Sequence, residues 1–113
     1  MKRITEAVLL SLLFLFFLSG CAHERALTYH NRGVEYYEEG SYLWAISNFN
    51  KAIQISPELP EAYHARAFAY YRTGRYSEAL RDFRRYLEIS PDAPDAEDVA
   101  VWIENITIEL RQD

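Results

Sequence analysis

An all-α fold is predicted for this 113-residue chain: a short solenoid of two helix-turn-helix units closed by a C-terminal capping helix. Three observations carry the prediction. The sequence matches itself at an offset of 34 residues, a glycine divides each copy into two stretches of helical periodicity, and a proline ends each copy. The composition, 50% hydrophobic and 26% charged with a single cysteine, excludes both a disordered polyelectrolyte and a disulfide-stapled scaffold.

The first segment stands outside that fold. Lys2 and Arg3 precede an apolar run, Ala7 to Leu18, of mostly Leu and Phe. As a helix this run is about 18 Å long, against a hydrocarbon core of about 30 Å, so by itself it is too short to span a membrane. Basic residues, then a short apolar stretch, then small residues are the layout of a secretory signal peptide over residues 1–20.

Leu18, Ser19, Gly20 and Cys21 resemble the lipobox of bacterial lipoprotein precursors. The resemblance implies that the Cys21 thiol is alkylated with diacylglycerol, that the leader is cut before it, and that the new amino group is acylated, commonly with palmitate. Export of a lone cysteine into an oxidising compartment is a liability that lipidation removes. Several acyl chains, at about 0.8 kcal/mol per buried CH₂, anchor stably where one chain is marginal. Ala22, where Asp is absent, resembles the signal that forwards Gram-negative lipoproteins to the outer membrane, so the implied location is its periplasmic face if the source has one. An uncleaved signal anchor and a non-lipidated leader with a spare thiol are the alternatives. Residues 21–25 read as the lipidated cysteine and a short tether; at up to about 3.6 Å per residue, Ala22 to Arg25 puts the first helix within about 15 Å of the lipid.

Beyond residue 20 the chain holds ten basic and sixteen acidic side chains, a formal charge of -6. That balance argues against nucleic acid as a partner, because phosphate contacts need clustered Lys and Arg. The one basic cluster, Arg75, Arg81, Arg84 and Arg85, is interleaved with Glu78, Asp82 and Glu88 and reads as a charge-paired solvated face.

The repeat follows. Tyr29, Tyr36, Gly40, Tyr42, Ala45, Phe49, Ile55, Ser56 and Pro57 fall on Tyr63, Tyr70, Gly74, Tyr76, Ala79, Phe83, Ile89, Ser90 and Pro91. This pattern resembles the tetratricopeptide repeat, a helix-turn-helix unit of 34 residues, with repeat 1 over residues 26–59 and repeat 2 over 60–93. Gly33 and Ala67 are small where the two helices of a repeat approach closely, and the aromatics fill the space between them. Gly40 and Gly74 sit in the turn, where positive φ ends the first helix. Pro57 and Pro91 stop the second helix and bias Ser56 and Ser90 out of the helical region. Two features depart from the family pattern: Arg32 and Arg66 replace the usual Leu, each with a long stem able to cover apolar surface, and Tyr86 stands where repeat 1 has the small Ala52.

Residues 94–113 form the last element. From Asp95 to about Gln112, Val99, Trp102, Ile103, Ile106 and Leu110 recur at spacings of three and four. Asp95, Glu97 and Asp98 lie at the positive end of the helix dipole and Arg111 at the negative end. With no second helix after it, this element reads as a terminal cap that covers the last repeat and turns its polar side outward.

The resemblance implies a groove lined by the first helix of each repeat. Its positions here are Leu27, His30, Val34, Tyr37 and Glu38, then Glu61, His64, Phe68, Tyr71 and Arg72, with Trp102 entering from the cap. Such a groove is aromatic in the middle and acidic at one edge, through Glu61, Asp95 and Asp98, and suits a peptide or helix with apolar anchors and a basic flank. The carboxylate clamp of co-chaperone arrays is missing: His30 occupies the place of its Lys and Val34 that of its Asn. His30, His64 and Asp98 form a ladder, but helices about 8 to 10 Å apart do not bring three side chains to the 2.0 to 2.2 Å that zinc needs, so no metal site is expected. No cofactor motif appears, and neither does a glycine-rich phosphate loop, a CxxC pair or an HExxH helix, so no enzymatic activity is expected. Asn105, Ile106 and Thr107 match a glycosylation sequon by coincidence.

The sequence thus reads as a membrane-anchored lipoprotein that presents its groove to a protein or peptide partner, membrane-adjacent because the tether is short, as an accessory or assembly factor in the bacterial cell envelope. Two alternatives remain open. One is a self-associating structural lipoprotein, a homo-oligomer with an occluded groove, since two repeats are fewer than the three or so a solenoid needs. The other is a metal or small-ligand binder that uses His30 and His64.

Overall fold

Gly40 and Gly74 set the course of the chain. In the computed structural model, which describes residues 2–112, they take φ of +80° and +76°, a region where a Cβ is strained. Each closes a helix in the same way. The Gly40 N–H reaches Tyr37 O at 3.0 Å and the Ser41 N–H reaches Tyr36 O at 2.8 Å; Gly74 and Arg75 repeat this to Tyr71 and Tyr70 at 3.0 and 2.9 Å. This paired closure satisfies the last carbonyls of the helix and reverses the chain. Ser56 and Ser90, at φ of -133° and -128°, stand extended before their prolines, and Pro60 opens the next helix.

Among the described residues five helices result: α1 (Lys2–Glu38), α2 (Tyr42–Ile55), α3 (Pro60–Arg72), α4 (Tyr76–Ile89) and α5 (Ala96–Gln112). The fold is the all-α solenoid expected. Each helix packs on the next through a short turn, so α1, α3 and α5 run one way and α2 and α4 the other; α1 also touches α3. The core repeats with the sequence, since Ala45, Phe49, Ala79 and Phe83 are wholly buried. At Gly33 an added Cβ would lie 2.6 Å from Cδ1 of Phe49, which is why this helix position carries no side chain. Its counterpart Ala67 is also wholly buried.

The arginine departure has a stronger role than stem packing. Arg66 donates from Nε and Nη2 to both oxygens of Asp82 at 2.7 and 2.8 Å, and from Nη1 to Asn50 Oδ1 at 2.7 Å. It lies over the rings of Tyr63 and Tyr70 at 5.6 and 5.5 Å. One guanidinium therefore joins α3 to α4 within its repeat and to α2 of the repeat before. Asp82 is 2% exposed, and burial pushes its carboxyl up against the downward pull of Arg66. In the basic cluster Arg75 pairs with Glu78 at 3.2 Å and Arg85 with Glu88 and Glu58 at 3.2 and 3.0 Å, whereas Asp82 is taken by Arg66 and, among the described residues, Arg81 and Arg84 form no ion pair. These exposed pairs contribute little stability.

At the amino end, two expectations change. No residue between Leu18 and Ala26 stops a helix, so α1 runs unbroken from Lys2 through Cys21 into the first repeat. The tether is therefore helical, and Ala22 to Arg25 advances about 6 Å rather than 15 Å. Residues 3–20 are exposed, and Ala26 is the first fully buried position. Because the helix does not end at Leu18, α1 is long and apolar enough to cross a membrane, with a mean hydropathy of 2.1 over 18 residues; a cleaved leader has the same character. At the other end α5 buries Val99 and Ile106, but its outer face is not wholly polar: Val101 and Ile108 are 54% and 45% exposed.

Candidate functional site

The first helices of the repeats stand side by side, and a cleft of about 230 Å³ opens among Val34, Tyr37, Phe49, His64, Ala65 and Phe68. Four of these were expected in the groove. Two more expected residues extend its wall: Trp102 meets Phe68 and Tyr71 edge to face, at 5.3 and 5.1 Å between ring centroids. Phe68 also stands edge-on to the buried Phe83 at 5.0 Å, so it is half groove and half core. Edge-to-face geometry is what ring quadrupoles favour, and it holds the wall rigid. At the other end Tyr37 packs on Tyr42 at 5.1 Å, and Arg72 caps the rim by donating Nε to the Tyr42 hydroxyl at 3.1 Å. Burial pushes the Tyr37 phenol up.

Some expected residues lie elsewhere. Leu27 packs into a second small core with Ala26, Ala52, Leu59 and Ala62. Glu38 is the exposed last residue of α1, where the chain is already turning away. Glu61 is exposed and belongs to a neighbouring, more polar cleft of about 460 Å³, shared with Pro60, Tyr86 and the turn 89–94.

The histidine ladder is rearranged. His64 Nε2 stands 3.0 Å from Asp95 Oδ2, and Asp95 Oδ1 accepts the Tyr86 hydroxyl at 2.6 Å. Asp98, the predicted rung, is exposed instead. The cause is that α5 begins at Ala96, which leaves Asp95 at the helix entrance, its carbonyl accepting Val99 N–H at 2.9 Å, while Asp98 turns outward. The Tyr86 hydroxyl, with His64, holds the Asp95 carboxyl below its ordinary range; burial and Asp95 push the Tyr86 phenol up to about 12. His30 sits 5.6 Å from the Phe49 ring with a buried Nδ1 that has no hydrogen-bond partner among the described residues, and burial pushes its pKa down. Among the described residues no group of three His, Cys, Asp or Glu is placed to hold a metal ion.

Tyr86 was the residue missed. It packs on His64 at 4.7 Å and fixes Asp95, and its signal was the departure itself, a large phenol in a place where the first repeat needs only a methyl. What these side chains build is a pre-formed apolar cleft between rigid helices, with an aromatic wall and one acidic neighbour. Such a surface can take an apolar anchor from a peptide or helix.

A helical-repeat solenoid with a concave aromatic groove is the class that this fold defines. The chain belongs to the tetratricopeptide-repeat family, whose model matches residues 36–104. Similar solved structures include the first such domain of Spaghetti (RPAP3) bound to the HSP90 peptide SRMEEVD, at 24% identity, 77% of this chain, 68% of that chain and a TM-score of 0.70. The Arabidopsis OM64 domain matches at 28% identity over 72% and 67% of the two chains, with a TM-score of 0.67. The TPR2B domain of yeast Sti1, in its pHsp70 complex, matches at 24% over 76% and 71%, with a TM-score of 0.69. No curated protein matches the chain by sequence.

Proposed function

We propose that the protein is an exported lipoprotein, anchored through Cys21, whose groove holds a peptide or helix of a membrane-adjacent partner and serves assembly in the bacterial cell envelope. The observation that carries the groove reading is the open cleft among Val34, Tyr37, His64 and Phe68, walled by Trp102. Of the similar structures, one is bound to an HSP90 peptide and another is in complex with pHsp70. Here His30 and Val34 stand where a carboxylate clamp has its Lys and Asn, so the partner is recognised through an apolar anchor and a basic flank toward Glu61 rather than through a terminal carboxylate. The role is binding and requires neither a cofactor nor a catalytic step.

Ala65 lines the cleft and is only partly buried, so Ala65→Phe fills the site from its surface side. Envelopes crosslinked before solubilisation should yield a co-purifying partner with the wild-type chain and lose it with Ala65→Phe. Equal recovery with both would sink the groove reading. The anchor has its own test: Cys21→Ser should leave the membrane fraction, and retention there would point to an uncleaved helix instead.

A further inference from the structure

The internal repeat supplies a template for a second surface. In repeat 2, the face of α3 formed by Tyr63, Arg66 and Tyr70 is covered by α2, and both tyrosines are 9% exposed. Tyr63 donates its hydroxyl to Pro57 O at 2.8 Å and Arg66 donates to Asn50 at 2.7 Å. On α2, Ile46 and Ile53 join the core on either side of Asn50, giving an apolar, amide, apolar triplet at i, i+4, i+7.

Thirty-four residues earlier, α1 carries the same face as Tyr29, Arg32 and Tyr36, already formed. The Arg32 guanidinium lies 5.7 Å from the Tyr29 centroid where Arg66 lies 5.6 Å from that of Tyr63; Lys51 and Arg85 stand on the same two rings at 5.5 and 5.8 Å. Among the described residues only side chains of its own repeat reach this copy, Lys51 over Tyr29 and Trp44 beside Tyr36, and no helix covers it as α2 covers the copy on α3. Arg32 is exposed, and among the described residues it has no ion pair. The surroundings have changed to match. Where repeat 2 has the polar Ser77 and Glu78, repeat 1 has Leu43 and Trp44, 69% and 65% exposed, with Trp44 stacked on Tyr36 at 6.2 Å.

We propose that the Tyr29, Arg32 and Tyr36 face, extended by Leu43 and Trp44, docks an amphipathic helix of a partner protein. The helix lies antiparallel to α1, as α2 does to α3. It places an amide or carboxylate side chain on Arg32, with apolar residues four before and three after it. The interface between α2 and α3 dictates this chemistry, and the cations Arg32 and Lys51, which form no ion pair among the described residues, call for an acceptor. A second copy offers Val101, Asn105 and Ile108 at the same spacing on α5. That helix runs parallel to α1, so a copy standing in the same orientation presents the triplet reversed. The surface is separate from the groove and does not depend on it.

The probe is a dye-labelled peptide with the sequence of residues 41–58, titrated by anisotropy against the full chain in detergent. Saturable binding is expected, weakened about tenfold or more by Arg32→Ala in the chain and by Asn50→Ala in the peptide, and unchanged by Arg72→Ala on the groove rim. Arg32 is exposed, so its variant keeps the helical circular dichroism of the wild type. Absence of saturable binding overturns the proposal, as does binding that survives Arg32→Ala, which would mean groove entry or displacement of native α2. Self-association of the chain that is abolished by both Arg32→Ala and Asn105→Ala would reassign the face to a second copy and overturn the choice of occupant.

Discussion

The Tyr86 hydroxyl donates to Asp95 at 2.6 Å, and the same carboxylate faces His64 at 3.0 Å, so the entrance of α5 is held to α4 and α3 together. Through α5 this contact positions Trp102, the far wall of the groove. The site is partly exposed, so solvent screening limits its energy, and Tyr86→Phe should cost about 1 kcal/mol. Urea unfolding should show a lower midpoint with an unchanged slope.

The same contact gives a pH signature. The folded state raises the Tyr86 phenol to about 12 through burial and the Asp95 carboxylate. A raised pKa means that the folded state holds the proton more tightly, so this contribution is complete below the ordinary value near 10 and is lost as pH rises from there toward 12. The stability difference between wild type and Tyr86→Phe should therefore shrink across that window. A difference that stays constant across that window would show that ionisation of the Tyr86 hydroxyl is not coupled to folding.

His30 works in the acid direction. Burial lowers its pKa below 6.5, so the unfolded chain takes up the proton first and stability falls as pH drops through and below 6.5. His30→Phe should flatten that part of the stability profile relative to wild type, with thermal unfolding between pH 5 and 7 as the measurement.

Arg66→Leu leaves the carboxylate of Asp82 buried and unpaired, at a cost of about 3–5 kcal/mol. A domain of this size has a total stability of about 5–15 kcal/mol, so the single variant should be largely destabilised at room temperature. The double variant Arg66→Leu/Asp82→Leu should recover much of the loss, because an apolar pair removes the unpaired charge.

Gly33→Ala should destabilise by about 1–3 kcal/mol through overlap with Phe49, although alanine is favoured over glycine in a helix by about 1 kcal/mol. Adding Phe49→Leu should return part of the loss, since a narrower side chain makes room for the methyl.

The repeat was legible because its identities are packing positions: Gly40 and Gly74 close helices, and Phe49 and Phe83 fill the same place twice. Groove residues such as Val34, Tyr37, His64 and Phe68 followed from that register. Arg66 with Asp82 and Tyr86 with Asp95 were not legible, since each pair joins different helices whose relative rotation no spacing in the sequence records. Asp98 was chosen over Asp95 because the strict 34-residue offset ignores where α5 starts. The exposed Val101 and Ile108 were not legible either: the three- and four-residue spacing picks out Val99, Trp102 and Ile106 and leaves the opposite side of α5 to be read as polar.

The most direct test of the groove as a partner-binding surface is site-specific photo-crosslinking in the native cell. A crosslinkable residue replaces Tyr71, which packs against Trp102 in the wall, and in a second strain replaces Arg84, exposed on α4. The groove account predicts that Tyr71 captures a distinct envelope protein, identified by mass spectrometry, and that Arg84 does not. Capture only of a second copy from Tyr71, or of a partner from Arg84 alone, would contradict it.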